Sequence, residues 1–197
     1  MKSKVKKTKS KKWNNEGGFT LVEIAIVMVI IGLLLGAVLK GQEMINNAKI
    51  KNLASQYNSI VAAVYSYQDK YGAFPGDDNR ATSRFWATGT CATAVGNGDG
   101  YIYEYYRAAQ HLACAGLIKG SYNGTSDFMR HTYGGNVIVY YETIAGRTGN
   151  DVRFYNLLPE NAQALDLQLD DGVYNTGTCR ATAAYTGTTP LNFGCFF

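Results

Sequence analysis

From Phe19 to Leu39 the chain runs through 21 residues that are apolar except for Thr20, two glycines and one carboxylate, Glu23. As a helix rising roughly 1.5 Å per residue the run is about 32 Å long, which matches the ~30 Å hydrocarbon core of a bilayer. It is long enough to span a membrane once. An ionised side chain near the centre of such a span costs on the order of 2.5–3.5 kcal/mol, so an acid kept there is first of all a functional residue. Glu23 is that acid, and it falls in the first helical turn, where the macrodipole favours negative charge. The run is opened by Gly17-Gly18, a pair that lets an extended backbone enter a protease cleft with no side chain in the way. A secretory signal has the reverse order, with a small-residue cleavage site after a shorter apolar stretch.

The string Gly17-Gly18-Phe19-Thr20-Leu21-Val22-Glu23 resembles the type III signal of type IV prepilins and type II secretion pseudopilins. A plain signal anchor shares the length and the basic flank but has no use for that string. The resemblance implies cleavage after Gly18 by prepilin peptidase, N-methylation of Phe19, and pairing of Glu23 with the new terminal amine of a neighbouring subunit. It also implies the partners: the peptidase, other pilin or pseudopilin subunits, an assembly platform and the inner membrane. The expected fold is α+β and pilin-like, a long N-terminal helix packed on a small antiparallel sheet with short helices and disulfide-closed loops. The corresponding division is a basic leader at 1–18, a membrane-spanning half-helix at 19–39, a soluble half-helix at 40–71 and a globular head at 72–197. One departure is Lys40, which stands where many major pilins carry a helix-kinking proline.

Charge supports this order of segments. The leader carries seven lysines against Glu16, a net of +6, so the remainder of a chain of net charge +4 is −2. The basic pI therefore says nothing for a nucleic-acid surface, and no nucleic-acid partner is expected. Lysines immediately before a span read as a positive-inside signal, with the leader cytoplasmic and the head periplasmic or, in a filament, extracellular. All four cysteines, Cys91, Cys114, Cys179 and Cys195, then lie on the oxidising side, where an even number pairs. Three connectivities exist, and the spacing favours Cys91–Cys114 with Cys179–Cys195. Zinc is the rival use, but no CxxC spacing occurs.

Past Leu39, Ile50, Leu53, Tyr57, Ile60, Val64, Tyr67 and Tyr71 recur every three or four residues, one apolar face of a helix. No proline interrupts 19–71, and Gly72-Ala73-Phe74-Pro75-Gly76 ends it, so one helix of about 80 Å is expected. Asp77 to Gly100 reads as a long loop held by Cys91. Tyr103 to Leu117 reads as a short helix with Ala108, Leu112 and Leu117 inward. Val137–Glu142 and Val152–Leu157 are strand-like, separated by a turn at Gly146-Arg147-Thr148-Gly149-Asn150. Pro159 suits the first turn of another helix, stopped by Asp170-Asp171-Gly172. The tail from Thr182 to Phe197 alternates weakly and predicts a last strand. Gly32 and Gly36 spell a GxxxG, read equally as ordinary glycine tolerance or as close helix packing in a filament.

Little here assembles into a catalytic set. There are two histidines, His111 and His131, both expected to be structural, and no GxSxG, HExxH or phosphate loop, so the chain is expected not to be an enzyme. Asn97-Gly98-Asp99-Gly100 looks like part of an EF-hand, yet the first and twelfth positions of such a loop fall on Val95 and Tyr106. No firm metal ligand is expected; the weak calcium candidates are Asp99, Glu104, Asp170 and Asp171, each weighed against a plain turn or a solvated helix end. Fifteen tyrosines, clustered at Tyr103/Tyr105/Tyr106 and Tyr140/Tyr141, suit either a half-buried sheet face or an adhesive tip. The leading expectation is thus a filament subunit of a type IV pilus or type II secretion pseudopilus. The alternatives are a minor pilin with an adhesive or DNA-binding head and, behind both, a membrane-tethered hydrolase.

Overall fold

The computed structural model describes residues 18–84, 91 and 96–197. The chain divides into two compact units, Met1–Met44 and Ile45–Phe197, and α1 (Leu21–Tyr71) contributes to both. In the first unit α1 exposes apolar side chains on every face. Its most apolar 18-residue window has a mean hydropathy of 2.8 with none of it buried, and the helix is long and apolar enough to cross a membrane.

In the second unit α1 behaves as a surface helix with one dry stripe. Ile50, Leu53, Ile60, Val64 and Tyr67 are buried, with Ala54 and Ala63 between them, while Tyr57 and Tyr71 are partly covered. They share one core with the inner face of a five-stranded antiparallel sheet ordered β1-β2-β3-β5-β4. The strands are β1 (Met129–Arg130), β2 (Asn136–Ile144), β3 (Arg147–Leu157), β4 (Cys179–Ala181) and β5 (Leu191–Phe196). Val137, Val139, Val152, Phe154, Phe193 and Cys195 supply the sheet's share of the core. Burying each large apolar side chain contributes roughly 1.5–3 kcal/mol, so this stripe-on-sheet packing is the main source of the unit's stability.

Among the described residues three helices complete the unit: α2 (Ala81–Arg84), α3 (Tyr105–Cys114) and α4 (Pro159–Leu169), the last opened by Pro159. Helix α3 is shorter than the pattern 103–117 suggests, for reasons at both ends. Residues 101–104 lie outside the helix, and the chain before it is tied to the sheet, because the Ile102 N–H donates to Asn150 Oδ1 at 3.1 Å and the Tyr141 N–H to the Ile102 carbonyl at 3.0 Å. At the far end Gly116, at φ +73°, closes a Schellman motif: Leu117 N–H reaches the Leu112 carbonyl and Gly116 N–H that of Ala113, both at 2.9 Å.

The β2–β3 connection also differs from the expected turn at 146–150. The hairpin turns on two residues, Ala145 and Gly146, at φ 45° and 81°, the primed geometry whose twist suits a hairpin. Arg147 to Asn150 are strand, paired with Ile144 to Tyr141. Gly149 is compatible with a strand because the Phe196 ring lies over it, 3.2 Å from where its Cβ would be. Arg180 Nη1 donates to the Ala145 carbonyl at 2.6 Å, holding an alanine in the left-handed region. The short edge strands β1 and β4 carry no sequence signal of their own; pairing with β2 and β5 creates them.

Candidate functional site

The first turn of α1 is closed by a reciprocal pair. Thr20 N–H and Oγ1 both donate to Glu23 Oε2 at 2.8 Å, and Glu23 N–H donates back to Thr20 Oγ1 at 3.2 Å. This is a capping box, Thr at the N-cap and Glu three residues on, which satisfies two of the amides a helix start leaves unpaired. The T-x-x-E spacing was available in the sequence as its signal. It also explains why the helix begins at Leu21 rather than at Phe19.

Both donors to Glu23 fall on Oε2; among the described residues no hydrogen bond reaches Oε1. Phe19, Glu23, Ile24, Ile26 and Val27 line an open recess of about 510 Å³ beside it. The site therefore offers one carboxylate, held at the helix start, in apolar surroundings. Gly17 lies outside the described residues. A Cβ at Gly18, Gly32 or Gly36 would meet nothing within 4 Å, so the isolated subunit has no steric need for glycine at any of the three.

In the head, the acids weighed as calcium ligands act mainly on backbone amides. The organising group of the glycine-rich loop is Asp77, 2% exposed, which sequence reading did not single out. Its Oδ1 accepts from Gly98 N–H at 2.7 Å and Asp99 N–H at 3.2 Å, and its Oδ2 from Gly100 N–H at 2.8 Å. Asn97-Gly98-Asp99-Gly100 thus wraps its amides around a carboxylate, as backbone nests do for anions. Asp99 turns into its own loop, accepting from Tyr101 N–H and Asn97 Nδ2. Glu104 precedes α3, with Oε2 buried. Asp78 is fully buried, accepts a hydrogen bond from Tyr67 Oη at 2.9 Å and forms an ion pair with Arg84, Nε to Oδ2 2.9 Å, tying the segment after α1 back onto it.

Asp170 Oδ2 accepts the amides of Thr178 and Cys179, and Asp171 those of Val173 and the Thr176 hydroxyl. The group the fold gathers is Asp166, Asp170 and Cys179, with candidate ligand atoms within 4.8 Å of one another. Asp171 is not in it, and the Cys179 sulfur is held in a disulfide.

The bonded pairs are Cys91–Cys114, which ties the loop after α2 to the end of α3, and Cys179–Cys195, which crosses β4 to β5. Both histidines are engaged by backbone. His111 Nδ1 accepts Gly76 N–H at 2.9 Å. His131 Nε2 donates to the Tyr155 carbonyl at 2.8 Å and Nδ1 accepts Tyr133 N–H at 3.2 Å; burial lowers its pKa, keeping the imidazole neutral. Six of the tyrosines form two ring clusters, Tyr101/Tyr103/Tyr141 and Tyr105/Tyr106/Tyr140 with Phe128, in which Tyr101, Tyr103 and Tyr106 are exposed and the others half-buried.

Comparison with known proteins agrees with the chemistry of the helix start. Residues 13–39 match the family model of the prokaryotic N-terminal methylation motif, so the chain carries the prepilin-type cleavage and methylation signal. No curated protein and no solved structure matches the chain.

Proposed function

We propose that this signal marks the precursor of a filament subunit, cut between Gly18 and Phe19 by prepilin peptidase, methylated on the new Phe19 amine, and assembled into a type IV pilus or type II secretion pseudopilus. The observation that carries the reading is the motif at 13–39, whose described part runs into the exposed, apolar first stretch of α1, Leu21–Leu39, with Glu23 as the one acid of that stretch, fixed at the first turn. Before assembly the apolar half of α1 rests in the inner membrane, leader inside and head in the periplasm, where the two disulfides form. On assembly that half-helix trades lipid for neighbouring helices.

Cleavage leaves a positive amine on Phe19 in an apolar bundle. Pairing it with Glu23 of an adjacent subunit offsets both desolvation costs and selects one axial stagger between subunits. The capping box prepares that contact by fixing the carboxylate while leaving Oε1 to accept. The role is structural; no catalytic step is assigned to any residue.

Processing is tested at Gly18, where the surroundings leave room for a side chain. Gly18→Val is expected to fold and insert but to accumulate as full-length precursor. In wild type, mass spectrometry of assembled material should show a chain beginning at a methylated Phe19. An intact lysine leader in assembled wild-type protein would overturn the proposal.

A further inference from the structure

The two edges of the sheet carry surfaces of opposite chemistry. At the β1 edge, Met129 and Arg130 join Ile60 of α1 and Leu117, Ile118 and Lys119 of the segment after α3 around an open groove of about 430 Å³. Ile60 and Met129 are buried there and Leu117 and Ile118 half-buried, while Lys119 and Arg130 stay exposed. No acid lines the groove, and among the described residues neither cation has a carboxylate partner. The β1 edge is thus an apolar slot flanked by two positive charges.

The β4 edge is the reverse, an apolar knob beside an acid. Helix α4 packs against β4 and β5, and its end is tied to β4 where Asp170 Oδ2 accepts the Cys179 N–H at 2.9 Å. Just there Leu167 is 65% and Val173 45% exposed. The two are neighbours in space. A Cβ on Gly172, at φ +76°, would fall 2.4 Å from Leu167 Cδ2, so the leucine lies over the glycine that precedes Val173. Asp171 is exposed in the same turn and stays ionised, because the Thr176 hydroxyl and the Val173 N–H donate to it and lower its pKa. The guanidinium that acts on it, Arg180, donates to the Ala145 and Gly177 carbonyls instead.

Sheet order makes the two surfaces usable together. Strands β1 and β4 are the outermost of β1-β2-β3-β5-β4, so one head can offer its groove to one neighbour and its knob to another. A groove that fits a different patch of the same chain makes a heterologous contact, which runs on as an open line of subunits rather than closing into a pair. We propose that Leu167, Val173 and Asp171 of one subunit dock in the groove of a second copy, the apolar pair on Ile60 and Met129 and the carboxylate against Lys119 and Arg130. This rests on the filament reading and adds which faces of neighbouring heads meet. Opposite charge sets the pairing, since two grooves brought face to face would oppose like charges.

The test uses the full chain and reads filament in sheared fractions, or secreted substrate for a pseudopilus. Leu167→Lys and Lys119→Glu change exposed residues and should leave the head's thermal midpoint where it is. Each should nonetheless cut assembly about tenfold or more at normal membrane levels, because like charges then meet across the contact. Joining Lys119→Glu to Asp171→Lys restores opposite charge and should regain most of the loss. A second readout needs no variant: a carbodiimide, which condenses a touching amine and carboxylate into an amide, should link Lys119 to Asp171 in wild-type filament and not in detergent-dispersed subunit. Wild-type assembly by Leu167→Lys and Lys119→Glu overturns the proposal. A double swap that regains nothing overturns it as well, since exchanged charge cures only a defect of the contact. Cross-links from Lys119 solely to a different protein would also overturn it. If wild type yields neither filament nor secretion, the filament reading falls and this inference with it, whereas assembled wild type with indifferent variants removes this inference alone.

Discussion

The two stretches of α1 are equally helical and bury their apolar residues in opposite ways. Between Leu21 and Leu39 the large apolar side chains are exposed on every face, whereas in the stretch from Ile50 to Tyr67 the residues Ile50, Leu53, Ile60, Val64 and Tyr67 fall on one dry stripe and Tyr65 alone of the large ones stays exposed. A helix apolar all round needs lipid or other helices for solvent, and a helix apolar on one stripe needs only its own domain. The difference separates two jobs: the first stretch is committed to surroundings outside the chain, the second to the chain's own core. The acids follow suit. Glu23 is exposed and bonded only within its own first turn, while Asp77 and Asp78 are consumed within the head.

The comparison breaks most sharply under truncation of a leucine on each stretch. Leu53→Ala opens a cavity under a fully buried residue and should cost about 2–5 kcal/mol of head stability, seen as a lower thermal midpoint. Leu34→Ala, on the exposed stretch, should leave the same midpoint within the ±0.5 kcal/mol or so of a surface change. Equal effects would mean that the apolar half also contributes to the head's core.

A smaller effect is expected at Asp77. Asp77→Ala removes the acceptor for the Gly98, Asp99 and Gly100 amides and should destabilise the head by about 1–3 kcal/mol. Proteolysis at 97–100 should rise with it. An unchanged midpoint and an unchanged cleavage pattern would show that the loop is held by other contacts.

The smallest effect is a tilt with pH. Asp166, buried in α4 and hydrogen-bonded by Tyr185 Oη at 2.8 Å, has its pKa raised by burial to about 6. Its native pKa exceeds the unfolded value of about 3.9, so the native state holds the extra proton in between, and stability falls as pH rises from about 4 to 6. Asp166→Asn should remove that fall. His131, whose pKa is lowered, tilts stability the other way below about pH 6.5, so the quantity to read is wild type minus variant. Identical slopes in the two proteins would refute the assignment.

The long helix was legible because period and length are local properties: the 3–4 spacing from Ile50 to Tyr71 and the apolar run before it need no tertiary knowledge. Gly-Gly-Phe and Glu23 were legible as a string. The capping box was equally visible, as Thr20 three residues before Glu23, but the macrodipole alone accounted for an acid in the first turn. What the sequence concealed depends on partners distant along the chain. Gly149 and Asn150 read as turn residues, yet Phe196 covers one, and the other fixes Gly100 and Ile102 through its side-chain amide. Asp77 lies twenty or more residues before the amides it binds, and β1 and β4 exist only through pairing. The Asn97-Gly98-Asp99-Gly100 string resembles part of a cation-binding loop, and what its amides hold is the chain's own Asp77 carboxylate.

The central claim is that Glu23 acts by its charge on a neighbouring subunit rather than by capping its own helix, and one pair of variants separates the two. Gln is as competent as Glu at the third position of a capping box, so Glu23→Gln keeps the helix start and discards the charge, while Glu23→Ala discards both. The readout is filament in sheared surface fractions, or secreted substrate for a pseudopilus, relative to membrane-bound subunit. The account predicts that both variants lose assembly alike, about tenfold or more, at normal membrane levels. Wild-type assembly by Glu23→Gln would contradict it.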